Sequence, residues 1–183
     1  VPHGKGTLTV AGSGVVYTGD WKAGLRHGKG VLTEPDSLYV GPCQGGANAK
    51  EAAGAGGAML NSSLSMTQAR VYDGDWLDDV KVGSGRTEFH AGHVHEGLYA
   101  APGVPHGKGK MVFPTRDTYD GNFDLGVYDG PGCYKYSSGE VYAGIYSKGL
   151  RHGKGKCNLV NGDVYEGTWA NDLMDGDGRF SVG

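Results

Sequence analysis

A triplet of aromatic residue, any residue and glycine recurs along this chain at a nearly fixed step, and it limits the fold more than any other feature. The copies are Tyr17-Thr18-Gly19, Tyr39-Val40-Gly41, Tyr72-Asp73-Gly74, Tyr119-Asp120-Gly121, Tyr142-Ala143-Gly144 and Tyr165-Glu166-Gly167, with a degenerate copy, His95-Glu96-Gly97. Successive copies lie 22, 33, 23, 24, 23 and 23 residues apart. A period of this size marks an array of small units, each able to bury its apolar face only against its neighbours. The 36 glycines among 183 residues could signal disorder, but disordered chains lack periodic aromatics.

A second landmark, a Gly-x-Gly pair, follows each triplet. The clearest copies are His3-Gly4-Lys5-Gly6, His27-Gly28-Lys29-Gly30, His106-Gly107-Lys108-Gly109 and His152-Gly153-Lys154-Gly155, with weaker ones at 83–85, 130–132 and 176–178. Between the landmarks lies a turn such as Lys22-Ala23-Gly24-Leu25-Arg26, so each unit reads as a β-hairpin. Alternation supports this. Tyr17, Gly19 and Trp21 share one strand face against Thr18, Asp20 and Lys22; Gly107, Gly109, Met111 and Phe113 share one face against Lys108, Lys110 and Val112. Glycine inside a strand weakens it unless something must approach closely. The expectation is that an aromatic ring of one repeat lies over the glycine of its neighbour.

These residues resemble the MORN (membrane occupation and recognition nexus) repeat family. Its pattern Tyr-x-Gly-x-Trp-x-x-Gly-x-x-His-Gly-x-Gly is matched by Tyr17 to Gly30, and by Tyr142 to Gly155 with Tyr146 in the tryptophan slot. The resemblance implies an all-β fold, an elongated single-layer antiparallel sheet of stacked hairpins. Seven to eight repeats with strands ~4.8 Å apart make a rod of roughly 70–80 Å. Residues 1–183 read as one continuous array, cut within a repeat at both ends, so further protein or an assembly is expected to cover them. The long step between Tyr39 and Tyr72 holds an Ala/Gly-rich inserted loop around 44–70, with Gly54-Ala55-Gly56 as a degraded landmark and a short helix as an option in 47–53 or 62–70.

Charge and motifs exclude several functions. A net charge of −3 disfavours nucleic-acid binding. Three cysteines at irregular spacing, Cys43, Cys133 and Cys157, form no disulfide framework and read as reduced thiols of a cytoplasmic protein. The Gly-Lys-Gly runs lack the spacing and hydroxyl of a phosphate-binding loop. His90, His93 and His95 cluster locally, but without an accompanying cysteine and in one repeat only, so no metal and no cofactor is assigned. The motif histidines His3, His27, His106 and His152 read as turn residues bonding backbone. No nucleophile–base constellation is visible, and the chain reads as non-enzymatic.

Acids on first strands (Asp20, Asp73, Asp75, Asp120, Asp124, Glu166) face lysines on second strands (Lys5, Lys29, Lys108, Lys110, Lys154, Lys156). That is cross-strand pairing on a solvated face, or a basic stripe for anionic lipid that the acids largely cancel. A single sheet has no second layer, so the recurring rings Tyr17, Trp21, Tyr72, Trp76, Tyr119, Phe123, Tyr142, Tyr146, Tyr165 and Trp169 are expected in an open groove as partner-binding anchors. The family resemblance implies a structural scaffold in a cytoskeletal assembly, such as the axoneme of a cilium or flagellum. Its partners would be other proteins of that complex and other copies of the chain, with a weak contact to anionic lipid as an option. The alternatives are a phospholipid-binding module and the regulatory arm of a larger enzyme.

Overall fold

The computed structural model describes residues 1–35 and 69–183. They form thirteen antiparallel strands in one sheet whose spatial order is the chain order. The strands are β1 (Gly4–Thr9), β2 (Val16–Lys22), β3 (Leu25–Thr33), β4 (Ala69–Leu77), β5 (Val80–Phe89), β6 (Val94–Ala100) and β7 (Val104–Val112). They continue with β8 (Thr118–Asp124), β9 (Val127–Lys135), β10 (Val141–Ser147), β11 (Leu150–Asn158), β12 (Val164–Ala170) and β13 (Leu173–Ser181). β1 is a lone second strand, and the other twelve pair into six hairpins.

Hairpin turns of two residues suit this repeat because both central residues take positive φ, which matches the twist of the flanking strands. Ala23 and Gly24, Leu125 and Gly126, and Lys148 and Gly149 all do so. Past the turn, the Gly-x-Gly landmark makes a bulge. Gly19 pairs with Gly30 but Asp20 pairs with His27, leaving Gly28 and Lys29 unmatched within the hairpin. Gly28 supplies the positive φ that the bulge needs, and Asp20 Oδ2 accepts a hydrogen bond from the Lys29 N–H at 3.0 Å. Asp75 repeats the cap on the Ser84 N–H at 2.9 Å.

The second glycine of each landmark pairs with the glycine of each triplet. The result is an unbroken glycine rib, one residue per strand: Gly6, Gly19, Gly30, Gly74, Gly85, Gly97, Gly109, Gly121, Gly132, Gly144, Gly155, Gly167 and Gly178. On one face of this rib lie the tyrosine rings. The Tyr72 ring covers Gly74 and Gly85 of its own hairpin, and its hydroxyl donates to the Asp75 carbonyl at 2.9 Å. Tyr17, Tyr119, Tyr142 and Tyr165 donate in the same way to the carbonyl three residues on. The rings reaching into the preceding repeat are the tryptophans: Trp76 Nε1 donates to Gly30 O at 2.9 Å, and Trp169 Nε1 to Gly155 O. The expectation of ring over neighbouring glycine therefore holds for the tryptophan slot, while tyrosine covers glycines of its own unit.

β3 pairs directly with β4, with Gly30 opposite Gly74. The array among the described residues is thus thirteen strands, about 58 Å along the stacking direction at ~4.8 Å each, shorter than eight repeats would give. β4 includes Ala69 and Arg70, which the sequence reading placed within the insertion around 44–70. The Tyr39-Val40-Gly41 copy, Gly54-Ala55-Gly56, Cys43 and nearly all of the helix options lie outside the described residues.

Candidate interaction surface

The sheet has a ring face and a polar face. On the ring face, the tyrosine and tryptophan slots meet edge to face in an unbroken series. Trp76 sits 5.4 Å from Tyr17 and 5.1 Å from Tyr72, Tyr99 sits 5.2 Å from Tyr72, and Phe123 sits 5.0 Å from His95. Tyr146 bridges Tyr119 and Tyr142 at 5.3 Å each, and Trp169 bridges Tyr142 and Tyr165. Such pairs add to the area that they bury. The herringbone corrects the expectation of open rings. Tyr17, Tyr72, Trp76, Tyr119, Phe123, Tyr142, Tyr146, Tyr165 and Trp169 are buried, and only Trp21, in the first hairpin, is half-buried. The rings are each other's second layer, so any anchoring through them needs the layer to open.

Arginine caps close this layer. Arg26 stacks 4.4 Å above the Trp76 ring of the next repeat, and its Nε donates to Asp79 Oδ1 at 2.8 Å. Arg151 does the same over Trp169 at 4.3 Å, with its Nε donating to Asp172 Oδ1 at 3.2 Å. Each acid also accepts the arginine's own backbone N–H. Burial opposes ionisation of Asp79, but the Arg26 bonds outweigh it and hold the carboxyl below its usual range. The sequence carries a signal for this clasp that the alternation argument passed over. Gly-Leu-Arg-His occurs at 24–27 and again at 149–152, and an acid ends the following turn both times.

The polar face is built from the residues between the landmarks. The register lines up one row of alternating charge: Asp73 opposite Arg86, Arg86 opposite Glu96, Glu96 opposite Lys110, and Lys110 opposite Asp120. Cys133 and Ala143 interrupt it, and Lys156, Glu166 and Arg179 resume it. In a second row, Lys29 Nζ lies 2.6 Å from Asp75 Oδ1 across the repeat boundary. Between the rows the glycine rib is bare of side chains, which leaves a groove of about 1100 Å³ over Gly74, Gly85, Gly97 and Gly109. A second groove of about 640 Å³ lies over Gly155 and Gly167. Asp73, Arg86, Glu96, Lys110 and Asp120 alternate along one wall of the first groove, with Lys29 and Lys108 on the other, and Lys154, Lys156, Glu166 and Asp177 line the second, so neither groove presents a single sign of charge.

The histidines are placed differently from expectation. His27 and His106 lie in strands, not turns, and each Nδ1 stands 3.3 Å from the acid of a following turn or strand end, Asp78 and Asp124. His93 packs on the edge of Phe113. His95 occupies a tyrosine slot and is fully buried; its Nδ1 meets the Tyr99 hydroxyl at 2.7 Å, which in turn meets Thr87 Oγ1 at 2.6 Å. Burial pushes the His95 imidazole down to about 4. Among the described residues, no three His, Cys, Asp or Glu side chains are grouped to hold a metal ion.

The MORN repeat family matches six stretches of this chain, residues 17–38, 72–94, 103–118, 119–141, 142–164 and 165–181. The match passes over residues 95–102, the strand and turn where His95 replaces tyrosine. No curated protein matches the chain. Hairpins of this pattern stacked in one open sheet, with matches over more than half the residues, show that the chain belongs to the MORN repeat family.

Proposed function

We propose that this chain is a non-enzymatic structural scaffold that holds other proteins, working in a cytoskeletal assembly such as the axoneme of a cilium or flagellum. MORN repeats are interaction modules for proteins or membranes, and one observation favours proteins here. The polar face alternates in sign at nearly every strand, as in Asp73, Arg86, Glu96, Lys110 and Asp120. An anionic bilayer needs a net positive surface, and interleaved acids cancel that field within a Debye length. A protein partner can instead match charges position by position, gaining specificity and register. The motif residues are committed to packing, so the periodic polar face and the irregular repeats are left for recognition.

Expression of the tagged full chain in ciliated cells tests the reading. The scaffold account expects the protein in the detergent-extracted axoneme, released by salt with a defined set of proteins. Recovery in the membrane fraction, together with flotation on phosphoinositide vesicles at physiological salt, would overturn it in favour of the lipid module. Copurification with a catalytic domain on the same polypeptide would favour the regulatory-arm alternative.

A further inference from the structure

Each repeat junction is closed by the same backbone bond, except one. The second residue of each hairpin turn donates its N–H to the carbonyl of the residue that precedes the His-Gly-x-Gly slot in the previous unit. Gly24 donates to Pro2, Asp79 to Arg26, Gly126 to Pro105, Gly149 to Tyr128 and Asp172 to Arg151, all between 2.8 and 3.0 Å. At the junction between β5 and the β6–β7 turn, Lys81 holds that position, but the Gly103 N–H turns back to Ala100 O. The turn here is also three residues, Ala101-Pro102-Gly103, where its neighbours have two.

The same junction lacks an acid. Arg26 and Arg151 receive the carboxylates of Asp79 and Asp172 from the following turn. Lys81 occupies the equivalent place opposite Trp76, and the turn that follows it offers only alanine, proline and glycine. Its ammonium lies instead 4.9 Å over the Tyr72 ring. A cavity of about 420 Å³ opens beside it, lined by Trp76, Phe89, Tyr99, Val104 and Pro105 among others. Three other charged groups line the cavity: Arg26 and Asp79, already bonded to each other, and Glu34. Glu34 attracts Lys81 through space, with no ion pair joining the two among the described residues. Burial lowers the Lys81 ammonium's pKa, as for a cation held without a close counter-ion.

We infer that this junction is a binding site for an aspartate carried on a tight turn of a partner protein, whose carboxylate enters the cavity and pairs with the Lys81 ammonium, since the chain's own Gly103 already packs against Lys81 where Asp79 and Asp172 seat on their arginines. The carboxylate supplies the counter-ion that this repeat lacks, and the aromatic and aliphatic walls take the apolar residues flanking it. A desolvated charge pair inside an apolar rim is the arrangement that makes a contact both selective and costly to break. The inference rests on the reading of the chain as a protein-binding scaffold, and it names one contact of that scaffold.

The test uses the full chain labelled with ¹⁵N and an end-blocked peptide of residues 165–173, which carries the Asn171-Asp172 turn. The expected result is saturable binding that shifts the amide resonances of Lys81, Gly103 and Val104. Binding should weaken roughly tenfold when the peptide's aspartate is changed to asparagine, and likewise in the Lys81→Met protein. Replacing residues 101–103 by an Asn-Asp pair supplies the carboxylate from within and should abolish binding while raising thermal stability. Equal affinity of the asparagine peptide, undiminished binding by Lys81→Met, or no shift at this junction overturns the inference. Axonemal localisation is scored separately. Failure of that localisation with Lys81-dependent peptide binding intact refutes the proposed assembly and not this site.

Discussion

Adding one methyl group to the glycine rib should destabilise the array, although local propensity predicts the opposite. In Gly85→Ala the new Cβ would stand 2.6 Å from Tyr72 Cε2, 2.7 Å from its hydroxyl oxygen and 2.8 Å from Cζ. Relaxed carbon contacts need about 3.5–4.0 Å, so the ring must retreat by roughly 1 Å. It has nowhere to go: it is fully buried, with Trp76 at 5.1 Å and Tyr99 at 5.2 Å against its faces and edges. Forced overpacking costs about 1–3 kcal/mol. Displacing the ring also breaks the hydroxyl bond to Asp75 O, about 1 kcal/mol. Alanine returns about 0.5–1 kcal/mol by restricting the unfolded chain. The net expectation is a loss of about 1–3.5 kcal/mol. Urea unfolding followed by both tryptophan fluorescence and circular dichroism reads it, two probes being needed because an array can unravel in sections. A double-mutant cycle with Tyr72→Leu sharpens the test, since without the ring the same alanine should be neutral or mildly favourable. A neutral or stabilising Gly85→Ala in the otherwise wild-type chain would refute the reasoning.

Three other perturbations follow from the same geometry. The buried His95 should make stability fall as pH drops. Its folded pKa is about 4, below the unfolded value near 6.5, so its contribution is complete above pH ~6.5 and is lost progressively down to pH ~4. That is about 3 kcal/mol, seen as the difference between wild type and His95→Tyr in pH-dependent denaturation. Arg151→Met should cost about 3 kcal/mol because it strands Asp172, whose side chain is only 11% exposed; Arg26→Met should cost less because Asp79 is 40% exposed. Thermal melts of the two variants rank them. Burial, together with the neighbouring Glu140 carboxylate, pushes the Cys157 thiol up to about 11, so Cys133 should alkylate before it. Peptide mapping after limited alkylation gives the order.

Sequence periodicity carried the hairpins and the alternation of faces, because these depend on residues within one unit. What it missed depends on contact between units. The Arg26–Asp79 clasp joins residues 53 apart, and only the fold shows that each arginine is answered by the following turn. Open rings were expected because a single sheet has no second layer; the rings of neighbouring units cover one another in a herringbone. The chain's longest step separates Thr33 from Ala69, and only the fold shows that β3 and β4 pair across it. His95 read as a weak tyrosine copy. The fold shows its place: a buried polar ring that joins Tyr99 to Phe123 in the series of rings.

The central claim is a single open sheet laid down in chain order along one glycine rib. Interstrand nuclear Overhauser contacts between backbone protons of successive rib glycines test it directly. The account predicts an unbroken relay from Gly6 to Gly178 that includes Gly30 to Gly74, with no contact between Gly6 and Gly178 within one chain. A missing Gly30–Gly74 contact, or an intramolecular contact joining Gly6 to Gly178, would contradict it.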